Sequence, residues 1–291
     1  MTSRAGNQRT WIITGASAGF GRAIAERAAG QGDNVVLAVR RPASVADLAA
    51  AHRDRVLVIE FDVCDTGRAG DVVRSAIDRF GRVDVLVNNA GRGVVGAAEE
   101  VGEEELRASL ELHLLGPAAL VRAVLPFFRE QKSGTIVQMS SQGGRISFPG
   151  VGAYSAGKFA LEGWSEALAD EVAPFGVRVM LVEPSRFRTS FNAPDVLRFA
   201  GSSPVYAGVL GAVRDDMAGA DGVQEGDPVR AAEIIVDLVA GEELPLRLPL
   251  GREAVERIGR SYRRGLDELE RWAPTAHAAD FPDAATSARP I

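Results

Sequence analysis

Tyr154 and Lys158 stand four residues apart, so on a helix they share one face. A phenol beside an ammonium is a unit for proton transfer, because the cation can tune the acid. That spacing alone is common and usually structural, so its weight depends on what lies near it. Ser141 precedes Tyr154 by 13 residues, just past the end of a predicted strand. Only Lys132 and Lys158 are lysines among 33 basic residues. Arginine stays charged, whereas lysine shifts its pKa readily, so a lysine in so arginine-rich a chain draws notice.

A second element suits phosphate rather than protons. Thr14-Gly15-Ala16-Ser17-Ala18-Gly19-Phe20-Gly21 follows the first predicted strand and opens the first helix. Small residues there let the backbone approach a pyrophosphate, and the helix start offers free N–H groups with positive partial charge. The glycine spacing is G-x-x-x-G-x-G rather than G-x-G-x-x-G, so position carries more of the reading than pattern. The second strand ends in Arg40-Arg41, with no acid to bind the ribose hydroxyls of NAD. An arginine there can pair with the 2′-phosphate of NADP, or both can be a solvated surface pair before Pro42. NADP(H) is therefore the expected cofactor, with NAD(H) also compatible.

Together these residues resemble the short-chain dehydrogenase/reductase family. Its motifs appear as Thr14-Gly15-x-x-x-Gly19-x-Gly21, Asn88-Asn89-Ala90-Gly91, Ser141 and Tyr154-Ser155-Ala156-Gly157-Lys158, over about residues 10–189. The resemblance implies cofactor contacts from Thr14, Gly15, Ser17, Gly19, Phe20, Gly21, Asp62, Val63, Asn89, Ala90, Gly91, Tyr154, Lys158, Pro184 and Thr189. It also implies carbonyl–alcohol interconversion, with Ser141 holding the substrate oxygen and Tyr154 exchanging the proton. A free tyrosine has a pKa of about 10, and a cation about 4 Å away at an effective dielectric of about 20 favours the phenolate by about 4 kcal/mol. Lys158, helped by an oxidised nicotinamide ring, is thus expected to bring Tyr154 near 7. Family relatives that reduce imines or double bonds, or epimerise, are alternatives, as is a cofactor-binding redox sensor without turnover.

Two positions depart from the family pattern. His113 replaces an asparagine whose backbone carbonyl holds a water linked to the lysine; it either joins the proton relay or fills space. The following Gly116-Pro117 step is suited to kink the helix and free carbonyls. Ser185 replaces a glycine after Pro184; with Arg186 it either alters the nicotinamide floor or is neutral variation. Gly152 to Phe159 nearly spells a phosphate-binding P-loop, but Phe159 cannot ligate magnesium.

Positioning these residues requires alternating strands and helices. Strands are expected at Thr10–Thr14, Asn34–Val39, Val56–Phe61, Asp84–Asn88, Gly134–Ser140, Val177–Glu183 and Leu246–Pro249. Helices are expected at Phe20–Gln31, Thr66–Phe80, Glu103–Glu130, Ala153–Ala173 and Arg252–Trp272. This rhythm predicts an α/β fold, a single Rossmann-type, doubly wound parallel sheet flanked by helices. The 291 residues read as one domain: a cofactor-binding and catalytic core over 10–189, an irregular substrate lid over 190–227 and C-terminal helices with the last strand over 228–272. A poorly ordered tail is expected from 273. Phe187, Phe191, Val196, Leu197, Phe199 and Tyr206 suit a largely apolar substrate or simply pack the lid, and Arg186 and Arg188 could meet an anion. A net charge of −6 disfavours nucleic acid, and no apolar run approaches the roughly 20 residues needed to cross a bilayer. One cysteine and three scattered histidines predict no metal site, and a polar N-terminus predicts a cytoplasmic protein. The resemblance implies a homodimer or homotetramer built on the helices at Glu103–Glu130 and Ala153–Ala173.

Overall fold

The computed structural model describes residues 8–281. In chain order the elements are β1 (Thr10–Thr14), α1 (Gly19–Gly30), β2 (Asn34–Val39), α2 (Ala46–Ala51), β3 (Val56–Glu60), α3 (Ala69–Phe80), β4 (Val85–Asn88) and β5 (Gly93–Val95). There follow α4 (Glu103–Leu110), α5 (Gly116–Gln131), β6 (Gly134–Met139), α6 (Gly152–Val172), β7 (Val177–Pro184), β8 (Leu197–Phe199), α7 (Ala207–Gly219), α8 (Pro228–Ala240), β9 (Arg247–Leu250) and α9 (Arg252–His277). Seven strands form one parallel sheet in the order β3-β2-β1-β4-β6-β7-β9. It is the doubly wound Rossmann-type arrangement that the strand–helix rhythm predicts.

Continuous apolar strands follow from burial on both faces. Ile13 and Trp11 point into a layer with Ile24 and Ala28 of α1 and Ile235 of α8. Ile12 points the other way, toward Val73 of α3 and Leu120 and Val124 of α5. Strand order reverses between β1 and β4, and that switch opens a crevice at the carboxyl ends of the strands. The candidate residues collect there.

Four expectations need correction. The helix expected over Glu103–Glu130 is broken by a π-helical turn at Glu111–Leu115. Gly116 starts α5, and a Cβ there would lie 2.5 Å from the Val63 carbonyl oxygen, so only glycine permits the approach. Taken as one run, Glu103–Gln131 is long and apolar enough to cross a membrane, contrary to the expectation that no segment is. Its apolar residues have another use here, since Leu120, Val121, Val124 and Phe128 are core. The segment 190–227 is not irregular: it contains α7, and its strand β8 pairs in parallel with β5. Three-residue strands and a helix of low amphipathicity leave little periodic signal. Finally, α9 runs to His277 through Pro274, past the expected end at Trp272; positions 282–291 of the expected tail lie outside the described residues.

Candidate active site

The glycine-rich turn is locked before any ligand arrives. The Thr14 hydroxyl accepts from the backbone N–H groups of Asn89 (2.9 Å) and Ala90 (3.1 Å). In return, the Asn89 amide donates to the carbonyls of Thr14 (2.9 Å) and Gly15 (3.1 Å). Thus the loop after β4 fixes the turn after β1. A Cβ on Gly21 would lie 2.3 Å from Asn89 Nδ2, and one on Gly15 would lie 2.9 Å from Ala90 Cα. Gly15 and Gly19 also have φ of 63° and 55°, the left-handed region that side chains avoid. Thr189 stands over this turn, its Cβ 3.0 Å from where a Gly19 Cβ would be. Ser17 is exposed, and Phe20 packs against Phe187 with the rings tilted by 53° and their centroids 5.0 Å apart.

The remaining candidate cofactor residues sit at neighbouring strand ends. Arg40 and Arg41 follow β2 and are exposed; among the described residues neither guanidinium has an ion-pair partner. Asp62 follows β3, and its Oδ1 accepts from the Cys64 N–H at 2.9 Å. Val63 is buried beneath the Gly116 step, Gly91 is exposed, and Pro184 closes β7. This set fits a dinucleotide: a glycine cradle that no side chain can enter, a helix N-terminus, and cations beyond β2.

The acid–base set is assembled on the other side of the crevice. Ser141 leaves β6, and its Oγ accepts from the Gly143 N–H at 3.0 Å. A Cβ on Gly143 would be 3.1 Å from Tyr154 Cε1 and 3.3 Å from Ser141 Oγ, so this glycine makes room where hydroxyl and phenol converge. Tyr154 and Lys158 share a face of α6. The buried Lys158 Nζ donates to the Met139 carbonyl at 2.7 Å and lies 5.9 Å from the Tyr154 ring centroid. Burial pulls the lysine down to about 8, against the pull of Glu162 one turn later.

Burial pushes the Tyr154 phenol up to about 12, and hydrogen bonding with Ser141 opposes this only in part. In the chain by itself the loss of water around a phenolate dominates. The value near 7 is expected with an oxidised nicotinamide beside Lys158 and the phenol, so it belongs to the cofactor complex.

His113 lies within the π-helical turn and is buried, edge-on to Tyr154 with centroids 5.3 Å apart. Its Nε2 accepts from the Arg92 N–H at 3.4 Å, while Nδ1 has no partner. Burial, then Lys158 and Arg92, hold it well below its ordinary value. It is therefore a neutral ring near pH 7, with one nitrogen accepting and the other without a partner. The same chain region brings Nε2 and Lys158 Nζ to 3.6 and 4.0 Å from where a Gly91 Cβ would be.

The chain matches the short chain dehydrogenase family profile over residues 9–197. It belongs to the short-chain dehydrogenase/reductase family of oxidoreductases. A short-chain dehydrogenase from Streptomyces avermitilis superposes with a TM-score of 0.89 at 47% identity, covering 94% of this enzyme and 100% of that chain. Oxidoreductase BOA17 of Botryotinia fuckeliana is 37% identical over 265 residues, 91% of this enzyme and 96% of its own length. Two more distant structures carry cofactors. An alcohol dehydrogenase from Thermococcus sibiricus, complexed with 5-hydroxy-NADP, matches at 25% identity and TM-score 0.69 over 84% of this enzyme and 96% of that chain. A 3-ketoacyl-(acyl-carrier-protein) reductase from Brucella melitensis, complexed with NADH, matches at 28% and 0.67 over 83% and 96%.

The lid arginines are engaged within the chain. Arg186 pairs with Asp216 of α7 at 3.0 Å, and Arg188 donates to the Gln224 carbonyl at 3.1 Å, so both pin the lid. Ser185 Oγ donates to the Leu250 carbonyl at 3.2 Å, which ties the strand end to β9. Of the lid apolar residues, Phe191 reaches the site, 5.6 Å from the Tyr154 ring, whereas Phe187 and Leu197 are buried in packing.

A charged cluster behind the site escaped the sequence reading. Glu183 is wholly buried and accepts from Arg145 at 2.8 Å; Glu162 is nearly so and accepts from Arg247 at 3.1 Å. One oxygen of each carboxylate has no partner. Burial, with Glu162 beside it, pushes Glu183 up to about 7 against the two arginines. The Lys158–Glu162 spacing of four was the one available signal.

Proposed function

We infer that this enzyme is an NADP(H)-preferring ketoreductase that interconverts a ketone or aldehyde and an alcohol, with Tyr154 as general acid and base. The observation that carries this reading is the convergence of Ser141 and Tyr154 across Gly143, one helical turn from a buried Lys158 and beside the locked glycine cradle. Thr14, Gly15, Ser17, Gly19, Gly21, Asn89 and Thr189 would hold the pyrophosphate end of the cofactor, and Asp62 with Val63 the adenine end. Arg40 and Arg41, exposed and without ion-pair partners among the described residues, would meet the 2′-phosphate. A bound nicotinamide supplies or accepts the hydride.

The chain's own groups do the rest. Ser141 orients the substrate oxygen, and Tyr154 delivers or removes its proton. Lys158 positions the phenol and supplies a nearby positive charge. His113 gives Tyr154 an uncharged wall, and Phe191 makes the mouth apolar, which favours a largely apolar substrate. We take the enzyme to be cytoplasmic and a homodimer or homotetramer.

Two experiments test this. Fluorescence titration with NADPH and NADH should show a preference for NADPH that Arg40→Ala removes, with NADH affinity little changed. In a carbonyl-substrate screen, Tyr154→Phe should lose turnover by at least about a hundredfold while still binding NADPH. Retained turnover would rule out Tyr154 as the proton donor.

A further inference from the structure

α9 leaves the body of the protein part-way along its length. Ala254 and Ile258 are buried, yet from Tyr262 to His277 every residue except Ala273 is exposed. About four turns of helix thus stand in water, a length that is marginal alone and normally owes its stability to packing. The arm is nevertheless patterned for contact. Tyr262, Leu266, Leu269 and Ala273 continue the stripe begun by Ile258, with Trp272 on its edge; Leu266, Leu269 and Trp272 are 55%, 68% and 53% exposed. The stripe that docks α9 on the body runs on beyond the body.

Charge identifies what covers it. Arg263 and Arg264 precede Leu266, while Glu268 and Glu270 follow it. Among the described residues none of the four has an ion-pair partner. On the helix Arg263 and Glu270 flank one side of the stripe, whereas Arg264 and Glu268, two residues either side of Leu266, point away from it. An antiparallel partner brings like sides together, as two-fold symmetry requires. Two copies crossing near Leu266 would therefore set Arg263 against Glu270 of the partner subunit, twice over by symmetry. Leu266 would meet its own symmetry mate, and Leu269 would fall near Tyr262 of the partner subunit.

We propose that the arm of α9 is a self-complementary docking surface whose occupant is the same arm of a second copy, antiparallel about Leu266. The acidic residues along the arm, Asp267, Glu268 and Glu270, disfavour an anionic lipid surface. The contact would also bear on the active site, since the Tyr262 ring carries the Arg145 guanidinium at 4.8 Å, and Arg145 holds the buried Glu183 behind Ser141.

The test separates this contact from any other interface the enzyme forms. In a Cys64→Ser background, Leu266→Cys should oxidise to a covalent dimer, because a residue at the two-fold meets itself. Trp272→Cys should not, because its mates are about 18 Å apart along the helix axis, beyond disulfide reach. In sedimentation, Arg263→Glu should lower the assembly by one step, as should Glu270→Arg, whereas Arg264→Glu and Glu268→Arg should not. Mixing the first two variants, or combining both changes in one chain, should restore it. Cross-linking of both cysteine variants alike, failure of Leu266→Cys to cross-link, unchanged assembly in either of the first two reversals, or no restoration would overturn the proposal. So would arms that stay unpaired while binding vesicles of phosphatidylglycerol.

Discussion

Replacing Gly21 by alanine tests whether the glycine cradle is locked as described. The new Cβ would fall 2.3 Å from Asn89 Nδ2 and 2.6 Å from the Gly15 carbonyl oxygen. Neither neighbour yields freely. Moving the Asn89 amide breaks its bonds to the Thr14 and Gly15 carbonyls, at about 1 kcal/mol each. Shifting Gly15 O moves a backbone group whose φ of 63° already suits few residues, and overpacking of this kind costs about 1–3 kcal/mol. The gain in helix propensity on losing a glycine returns at most about 1 kcal/mol. The net is a loss of about 3 kcal/mol, or about 6 °C in Tm for a chain of this size.

The second consequence is functional. With the Asn89 clamp open the turn no longer presents its N–H groups, and NADPH affinity should fall at least about tenfold, equivalent to about 1.4 kcal/mol. Gly163→Ala is the control: it lies on the exposed face of α6, with nothing within 4 Å of its added Cβ. That variant should gain about 0.5–1 kcal/mol and leave binding alone. Differential scanning fluorimetry with and without NADPH reads both. A Gly21→Ala protein that melts within 1 °C of wild type (about 0.5 kcal/mol) and binds NADPH normally would refute the locked turn.

Further outcomes follow from the buried groups. The carboxyl of Glu183 sits at about 7 in the folded protein against an ordinary 4.5, so the native state holds its proton more tightly. Stability from this group is present in full below about 4.5 and is lost as pH rises toward 7; Glu183→Gln should remove that slope from urea-unfolding free energies measured between pH 5 and 7.5. Because His113 is neutral near pH 7, His113→Asn should leave the pH profile of kcat/KM without a lost ionisation between 5.5 and 7, whatever its effect on the rate. Loss of an ionisation there would place the ring in the relay. Ser185→Gly removes one hydrogen bond to the Leu250 carbonyl and should cost about 1 kcal/mol by thermal unfolding, with NADPH affinity unchanged.

How far the sequence foretold these features depends on the range of each signal. Both of the first two strands begin and end where apolar runs meet Thr14 and Arg40, because a strand buried on both faces writes its own boundaries. The turn, Ser141 and the Tyr154–Lys158 face were legible because local spacing fixes them. What stayed hidden is set by contacts distant in sequence. Nothing near Lys158 says that Met139 receives its ammonium, nor that Arg186 and Arg188 are taken up by Asp216 and Gln224. β5 and β8 are too short to carry a period, and the π-turn at Glu111–Leu115 needs the Val63 carbonyl beside Gly116 to explain it. The Glu162–Glu183 cluster joins residues 21 positions apart through two arginines from other elements.

The resting charges of the site favour one direction of the proposed reaction. A tyrosine at about 12 is fully protonated near neutrality, which is the form needed to deliver a proton to a carbonyl oxygen as it becomes an alkoxide. Oxidising an alcohol needs the phenolate, which burial disfavours and which therefore calls for positive charge beside the phenol. Lys158 Nζ, which donates to the Met139 carbonyl and lies 5.9 Å from the phenol ring centroid, keeps two further N–H groups and contributes part of it. The positive charge of an oxidised nicotinamide is the natural further source, and it is present only in the complex that oxidation requires. Acid and base forms of Tyr154 would then follow the oxidation state of the cofactor, so one buried phenol could serve both directions without a second catalytic group.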